Sequence, residues 1–246
     1  DAAGIGIVLL HARGRWPDYH VVGSTYLFLL NYAEGRSAAA VFEEHRRWGE
    51  RHGLPAARFG NARETEKVLR IGYVSPDFRR HPVAMFLEPV LAHHDRARVE
   101  VFCYATDGRE DGVTERLRSL VGPERWRSIA RLNDAAAEGV VRRDQIDVLV
   151  DLAGHTAGDR LRLFARKPAP VQVTYLGYPN STGLRAMDYR LTDAAADPVG
   201  LTEHLHTEKL WRLSACFLCF VAPQGWPEVG ELPALRTGQL RAAGGA

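Results

Sequence analysis

The feature that most constrains this chain is the run Ile146 to Leu152, a nearly continuous apolar stretch of strand length. A strand without polar alternation has to be covered on both faces, and a parallel sheet flanked by helices provides that cover. The surrounding sequence repeats the pattern. Val68–Val74, Val99–Tyr104, Trp126–Ile129, Val171–Leu176, Tyr189–Thr192 and Lys209–Leu213 read as further strands. Helical patterns lie between them: Pro82–His94 with Phe86, Leu87, Val90 and Leu91 inward, a helix opened by Asp111, one capped by Asn133 and ending in Arg142 and Arg143, and Asp159–Lys167 closed by Pro168. Such alternation predicts βαβ units and an α/β fold with a Rossmann-like, doubly wound parallel sheet.

The first third reads as helical. Tyr26, Leu27, Leu29 and Leu30 crowd within Ser24–Tyr32, and Ser37 is placed to cap a helix carrying Val41, Phe42, His45 and Trp48 at spacings of three and four. Gly53 and Pro55 stop it, Ala56–Glu66 reads as a linker, and a new unit begins near Lys67. Past Pro223 the pattern fades into Gly, Pro and Ala.

Composition excludes several classes. With 46% apolar and 25% charged residues in 246, the chain buries a sizeable core as one large domain or two small ones. Its 32 basic and 30 acidic residues leave a formal charge of +2, which gives no global field to draw it onto nucleic acid or an anionic membrane. Its apolar runs fall far short of the roughly 20 residues of a membrane span, so the expectation is a soluble protein. Three cysteines make no disulfide framework, and a cytoplasmic setting follows as the default.

In open α/β sheets ligands lie beyond the carboxyl ends of the strands, and three loops stand out there. Ser75–Pro82 places Asp77, Arg79, Arg80 and His81 between a strand and a helix whose first residue is Pro82. His81 suits proton transfer, with Asp77 orienting it or acting alone; the alternative is a turn-capping aspartate with solvated arginines. Asp151–Gly158 has two glycines, His155 and Thr156; Asp151 reads as satisfying backbone amides and His155 as a ligand contact. Leu176–Gly183 is a tight polar loop suited to a sugar, although a plain turn has a similar composition. None is a G-x-G-x-x-G fingerprint or a P-loop, which counts against an unrelated nucleotide-binding protein.

Other features point to structure. Cys216-Phe217-Leu218-Cys219 is a lone C-x-x-C in an apolar run, read as two buried thiols. His204 and His206 beside Glu203 and Glu208 read as surface residues, and His93 and His94 as imidazolium groups suited to a helix C-terminus. Trp48 and Trp211 read as core or domain-contact residues.

At these loops the sequence resembles the family 41 glycosyltransferases, the protein O-GlcNAc transferases that include SPINDLY-like proteins and many bacterial tetratricopeptide-repeat proteins. The phrases that carry the resemblance are Leu69–Pro82 (LRIGYVSPDFRRHP), Val99–Tyr104 (VEVFCY), Asp147–Thr156 (DVLVDLAGHT) and Arg166–Pro179 (RKPAPVQVTYLGYP). Met187-Asp188-Tyr189, Thr192-Asp193 and Glu208-Lys209-Leu210 extend it over roughly Ser24 to Phe220.

The resemblance implies a GT-B enzyme that transfers N-acetylglucosamine from UDP-GlcNAc to serine and threonine hydroxyls of proteins, with inversion and with neither metal nor other cofactor. It implies that His81 is the histidine at the reaction centre, proposed as general base, with Asp77 four residues before it. His155 and Thr156 would line the sugar pocket, and Leu176 and Gly177 would contact the sugar. The implied partition is a helical segment over residues 1–60, ending the connection from the repeats, a Rossmann-like N-terminal catalytic lobe over 61–222, and an interlobe linker or tail over 223–246.

Departures from the family pattern are specific. Val22 and Gly23 stand where relatives often have a histidine before the serine aligned with Ser24, and Asp1–Arg15 do not look like repeat helices. Leu232–Gly238 resembles the linker to a second lobe that carries most uridine and diphosphate contacts, after which the chain ends in Ala and Gly. The expectation is a chain nearly inactive without that lobe or a complementing one. The competing expectation is a non-catalytic α/β remnant acting as a protein-interaction module.

Overall fold

The computed structural model describes residues 14–15, 19–53, 59–62, 64, 66–222, 230–232 and 234–235. Part of the expected linker and most of the tail after Pro223, including most of Leu232–Gly238, lie outside the described residues.

The described residues before the sheet include α1 (His20–Leu30) and α2 (Ala38–His52), the second capped by Ser37, whose hydroxyl accepts the Ala40 amide at 3.2 Å. The α/β unit follows as β1 (Leu69–Ser75), α3 (Pro82–His93), β2 (Val99–Ala105), α4 (Gly112–Val121), β3 (Trp126–Ser128), α5 (Asp134–Arg143), β4 (Val148–Asp151), α6 (Leu161–Ala165), β5 (Val171–Thr174), β6 (Tyr189–Asp193) and β7 (Lys209–Leu213). Asp111 and Thr114 form a capping box at α4, and Asn133 caps α5. Helix α6 is shorter than its sequence pattern suggests. Lys167 takes the left-handed conformation at φ 52° and Pro168 follows, so the helix ends early.

The seven strands form one sheet in the order β3-β2-β1-β4-β5-β6-β7, every neighbouring pair parallel. The winding direction reverses between β1 and β4. Both faces are apolar, as the Ile146–Leu152 run requires. Along β2, Phe102 and Tyr104 belong to one core cluster and Val101 and Cys103 to the other. The first cluster also takes in Tyr26, Leu27, Val41 and Trp48, so α1 and α2 share a core with one face of the sheet.

The end of α3 departs from expectation. His94 lies 2.8 Å from the Tyr73 hydroxyl through Nε2, and burial followed by nearby Arg96 lowers its pKa. It therefore favours the neutral ring rather than an imidazolium on the helix dipole.

Candidate active site

Because all strands are parallel, the loops that follow them gather on one rim, and those after β1 and β4 flank the reversal of strand order. The three loops touch. A Cβ built on Gly158 (φ 82°) would meet Pro76 at 2.9 Å, which joins the first loop to the second. Gly154 (φ 54°) lies against Tyr178, and Gly177 against the main-chain carbonyl of Leu152, which joins the second to the third. The two glycines of the β4 turn thus make room for neighbouring loops.

The first loop brings Asp77 and His81 together. His81 is the N-cap of α3; its Nδ1 accepts the Val83 amide at 3.2 Å and lies 3.6 Å from Asp77 Oδ2. The neutral ring then carries its proton on Nε2. Asp77 is buried, receives Arg79 Nη2 on Oδ1 at 3.3 Å, and holds its own amide on Ser75 Oγ at 2.9 Å. Burial raises the Asp77 pKa, against the attraction of His81, Arg79 and Arg109. The His81 side chain is 36% exposed, so it reaches the rim while Asp77 stands behind it.

In the second loop Asp151 is buried and accepts the amides of Ala153 and Gly154 together with the Thr174 hydroxyl, a structural role in line with the sequence. Burial lifts its pKa to about 6, opposed by those donors. His155 is 1% exposed and both ring nitrogens meet protein: Nδ1 lies 2.7 Å from Ser24 Oγ and Nε2 lies 2.9 Å from the Thr182 carbonyl. It braces the turn from within. Thr156 is half-buried and donates its hydroxyl proton to the Ala153 carbonyl at 2.8 Å, which leaves the oxygen as an acceptor.

The third loop is held from below by Glu208. This buried carboxylate accepts the Ser181 hydroxyl and the Thr182 amide, each at 2.7 Å, and the Thr182 hydroxyl. Leu176 adopts φ 46°, a left-handed conformation costly for leucine, and is half-buried at the rim beside Gly177. Tyr178 turns inward, with its hydroxyl 2.7 Å from His45 Nε2.

Several residues read as surface or core are placed otherwise. The His206 side chain is 6% exposed, 3.2 Å from Asp197 Oδ1, and Glu208 is buried, because β7 carries that segment against the polar underside of the third loop. Hydroxyls and an amide 26 and 27 residues away create the demand for Glu208, and no local pattern signals it. Cys216 and Cys219 are exposed, since the chain leaves the sheet after edge strand β7 and no further strand among the described residues covers it. Trp211 is 55% exposed on the same edge, whereas Trp48 is core. No cluster of three or more metal-ligating side chains occurs among the described residues, and no described helix is long and apolar enough to cross a membrane.

A sheet wound outward from a switch point, with glycine-bearing loops interlocked on its carboxyl rim, defines a Rossmann-like α/β lobe with its ligand crevice at that rim. The family model described as Glycosyl transferase family 41 matches residues 52–224. A probable UDP-N-acetylglucosamine–peptide N-acetylglucosaminyltransferase SPINDLY of Petunia hybrida is 40% identical over 228 residues, covering 90% of this chain and 24% of that protein. The UDP-N-acetylglucosamine–peptide N-acetylglucosaminyltransferase of Caenorhabditis elegans is 42% identical over 144 residues, 58% of this chain and 12% of that protein. A solved structure of a mutant O-GlcNAc transferase from Thermobaculum terrenum superposes with a TM-score of 0.87 at 42% identity, covering 93% of this chain and 45% of that one. The chain belongs to glycosyl transferase family 41. It spans about a quarter of the length of the SPINDLY relatives it matches.

Proposed function

We propose that this chain is the acceptor-side catalytic lobe of an inverting transferase that moves N-acetylglucosamine from UDP-GlcNAc to serine and threonine hydroxyls of proteins. The observation that carries the reading is the pair His81 and Asp77 at the mouth of the sheet, in a chain whose relatives are named for this transfer. The acceptor oxygen must lose a proton as it attacks the sugar carbon. His81 Nε2 takes that proton once the ring has exchanged tautomers, its hydrogen passing from Nε2 to Nδ1, which then donates to Asp77 Oδ2 across the present 3.6 Å gap in place of accepting the Val83 amide. Thr156, Leu176 and Gly177 offer the sugar polar and backbone contacts from the adjoining loops, and His155 holds the turn that presents Thr156.

Stabilising the departing diphosphate is left to a second lobe, so the isolated chain is nearly inactive and binds the nucleotide sugar weakly. No metal or other cofactor enters the proposed chemistry. The setting is cytoplasmic, in keeping with three free cysteines among the described residues.

The test is transfer to an acceptor protein, read by mass spectrometry, with this lobe joined to a family second lobe and a fucose donor run in parallel with UDP-GlcNAc. His81→Ala should slow transfer roughly 10²- to 10⁴-fold. Unchanged transfer would remove His81 from the chemistry. Tight binding of UDP-GlcNAc by this chain alone in a calorimeter would contradict the division of labour.

A further inference from the structure

Ser24 has one hydroxyl proton and two neighbours that call for it. Its Oγ lies 2.7 Å from His155 Nδ1 and 3.0 Å from Asp159 Oδ2. The far side of the ring decides where the proton goes. His155 Nε2 faces the Thr182 carbonyl, which only accepts, so Nε2 carries hydrogen. The ring is buried among Trp48, His45 and Tyr178, surroundings that disfavour a second proton. Nδ1 is therefore an acceptor and Ser24 donates to it. With that proton spent, a hydrogen bond between Ser24 Oγ and Asp159 Oδ2 needs a proton from Asp159.

We propose that Asp159 stands as a neutral carboxylic acid at the head of an ordered chain of donors: Asp159 Oδ2–H to Ser24, Ser24 O–H to His155 Nδ1, and His155 Nε2–H to the Thr182 carbonyl. Asp159 is thereby a positioning residue for the glycine turn after β4; only the statement that this turn faces the sugar rests on the proposed function. The chain of bonds links α1, the β4 turn and the loop between β5 and β6, three segments with no backbone hydrogen-bond ladder among them. Asp159 Oδ1 accepts the Leu161 amide at 3.2 Å, which leaves Oδ2 as the protonated oxygen.

The charges that face Asp159 agree with this assignment. Asp151 from β4 and Asp134 from α5 both oppose a further negative charge, and burial, the largest influence, lifts its pKa to about 7. Arg160 and Arg162 lie 3.8 and 3.6 Å from Asp134. Ionised Asp159 would draw the Ser24 proton to itself and strand His155 Nδ1 without a donor.

Asp159→Asn tests the proposal, because a carboxamide keeps a donor toward Ser24 and an acceptor for the Leu161 amide. The sign is fixed by linkage. Unfolded aspartate loses its proton near pH 4 while folded Asp159 keeps it to about 7, so native stability falls as pH rises through that window and the variant escapes the loss. The folding constant of the variant relative to the native chain should rise on the order of tenfold per pH unit between 4 and 7, read by chemical denaturation. Infrared difference spectra at pH 6 should show a protonated-carboxyl stretch in the native chain that the variant lacks. Nitrogen NMR of the native chain supplies a readout that survives poor folding of the variant: His155 should be the neutral Nε2–H form at pH 6. A flat stability ratio, no lost carboxyl band, or an imidazolium at His155 would each overturn the proposal. None of these readouts involves sugar transfer, so failure of the functional reading leaves them intact.

Discussion

The α-carbon of Gly177 lies against the main-chain carbonyl of Leu152, so the loop after β5 and the turn after β4 meet backbone to backbone. Any side chain at 177 has to displace a carbonyl at the end of the central strand, where no flexible group can yield. Gly177→Ala should destabilise the chain by about 1–3 kcal/mol, the range for overpacking a close-packed site, as read from urea denaturation midpoints. A loss below about 0.5 kcal/mol would mean that the loops part readily.

Asp77 separates activity from stability. It is buried beside Arg79, and burial raises its pKa, so the folded chain gains little from its charge. Asp77→Asn should leave the denaturation midpoint within about 1 kcal/mol of native. In the two-lobe enzyme it should slow transfer at least roughly tenfold, because His81 loses the carboxylate that stabilises its charged form. Loss of folding together with activity would assign Asp77 a purely structural role.

Acid should expose the buried histidines. His45 gives Nδ1 to the Val41 carbonyl at 2.8 Å, and burial depresses its pKa to about 4. The unfolded ring takes up a proton below about 6.5 and the folded ring does not, so this contribution is complete above that pH and is lost as pH falls toward 4. The stability gap between the native chain and His45→Gln should therefore narrow toward acid, by up to about 1.4 kcal/mol per pH unit. A gap independent of pH would show that the folded ring takes up its proton as readily as the unfolded one.

Glu208 anchors the third loop through three donors, so Glu208→Gln turns one carboxylate oxygen into an amide that faces hydroxyls and a backbone N–H. The expected cost is about 2–4 kcal/mol, from donors left buried and unpaired. Hydrogen exchange should quicken first at Ser181 to Leu184. Uniform quickening across the sheet would point instead to a global effect.

The strands were legible because each is an apolar run bounded by turn residues, and a two-sided burial demand leaves few alternatives to a parallel sheet. Strand ends in the structure fall within about two residues of those read from sequence for the same reason. Asp77 and His81 were legible too, since a polar cluster followed by a proline at helix position one marks the rim directly. His155 was visible as a residue but not in its placement, because the groups that enclose it come from Ser24 and Thr182, more than a hundred residues before it and 27 after it. His206 and the two exposed cysteines were misread because i, i+2 spacing and apolar neighbours say nothing about which element covers a segment.

Local chemistry in the sequence determined the alternation of elements, the helix caps at Ser37, Asp111 and Asn133, the break at Pro168 and the family to which the chain belongs; each follows from groups a few residues apart. Tertiary structure alone decided that the glycines seat neighbouring loops, that Glu208 lies under Thr182, and that Ser24 stands between His155 and Asp159. Those outcomes depend on which carbonyls, hydroxyls and protons meet once the sheet is wound, and burial then makes every unmatched donor costly enough to fix them.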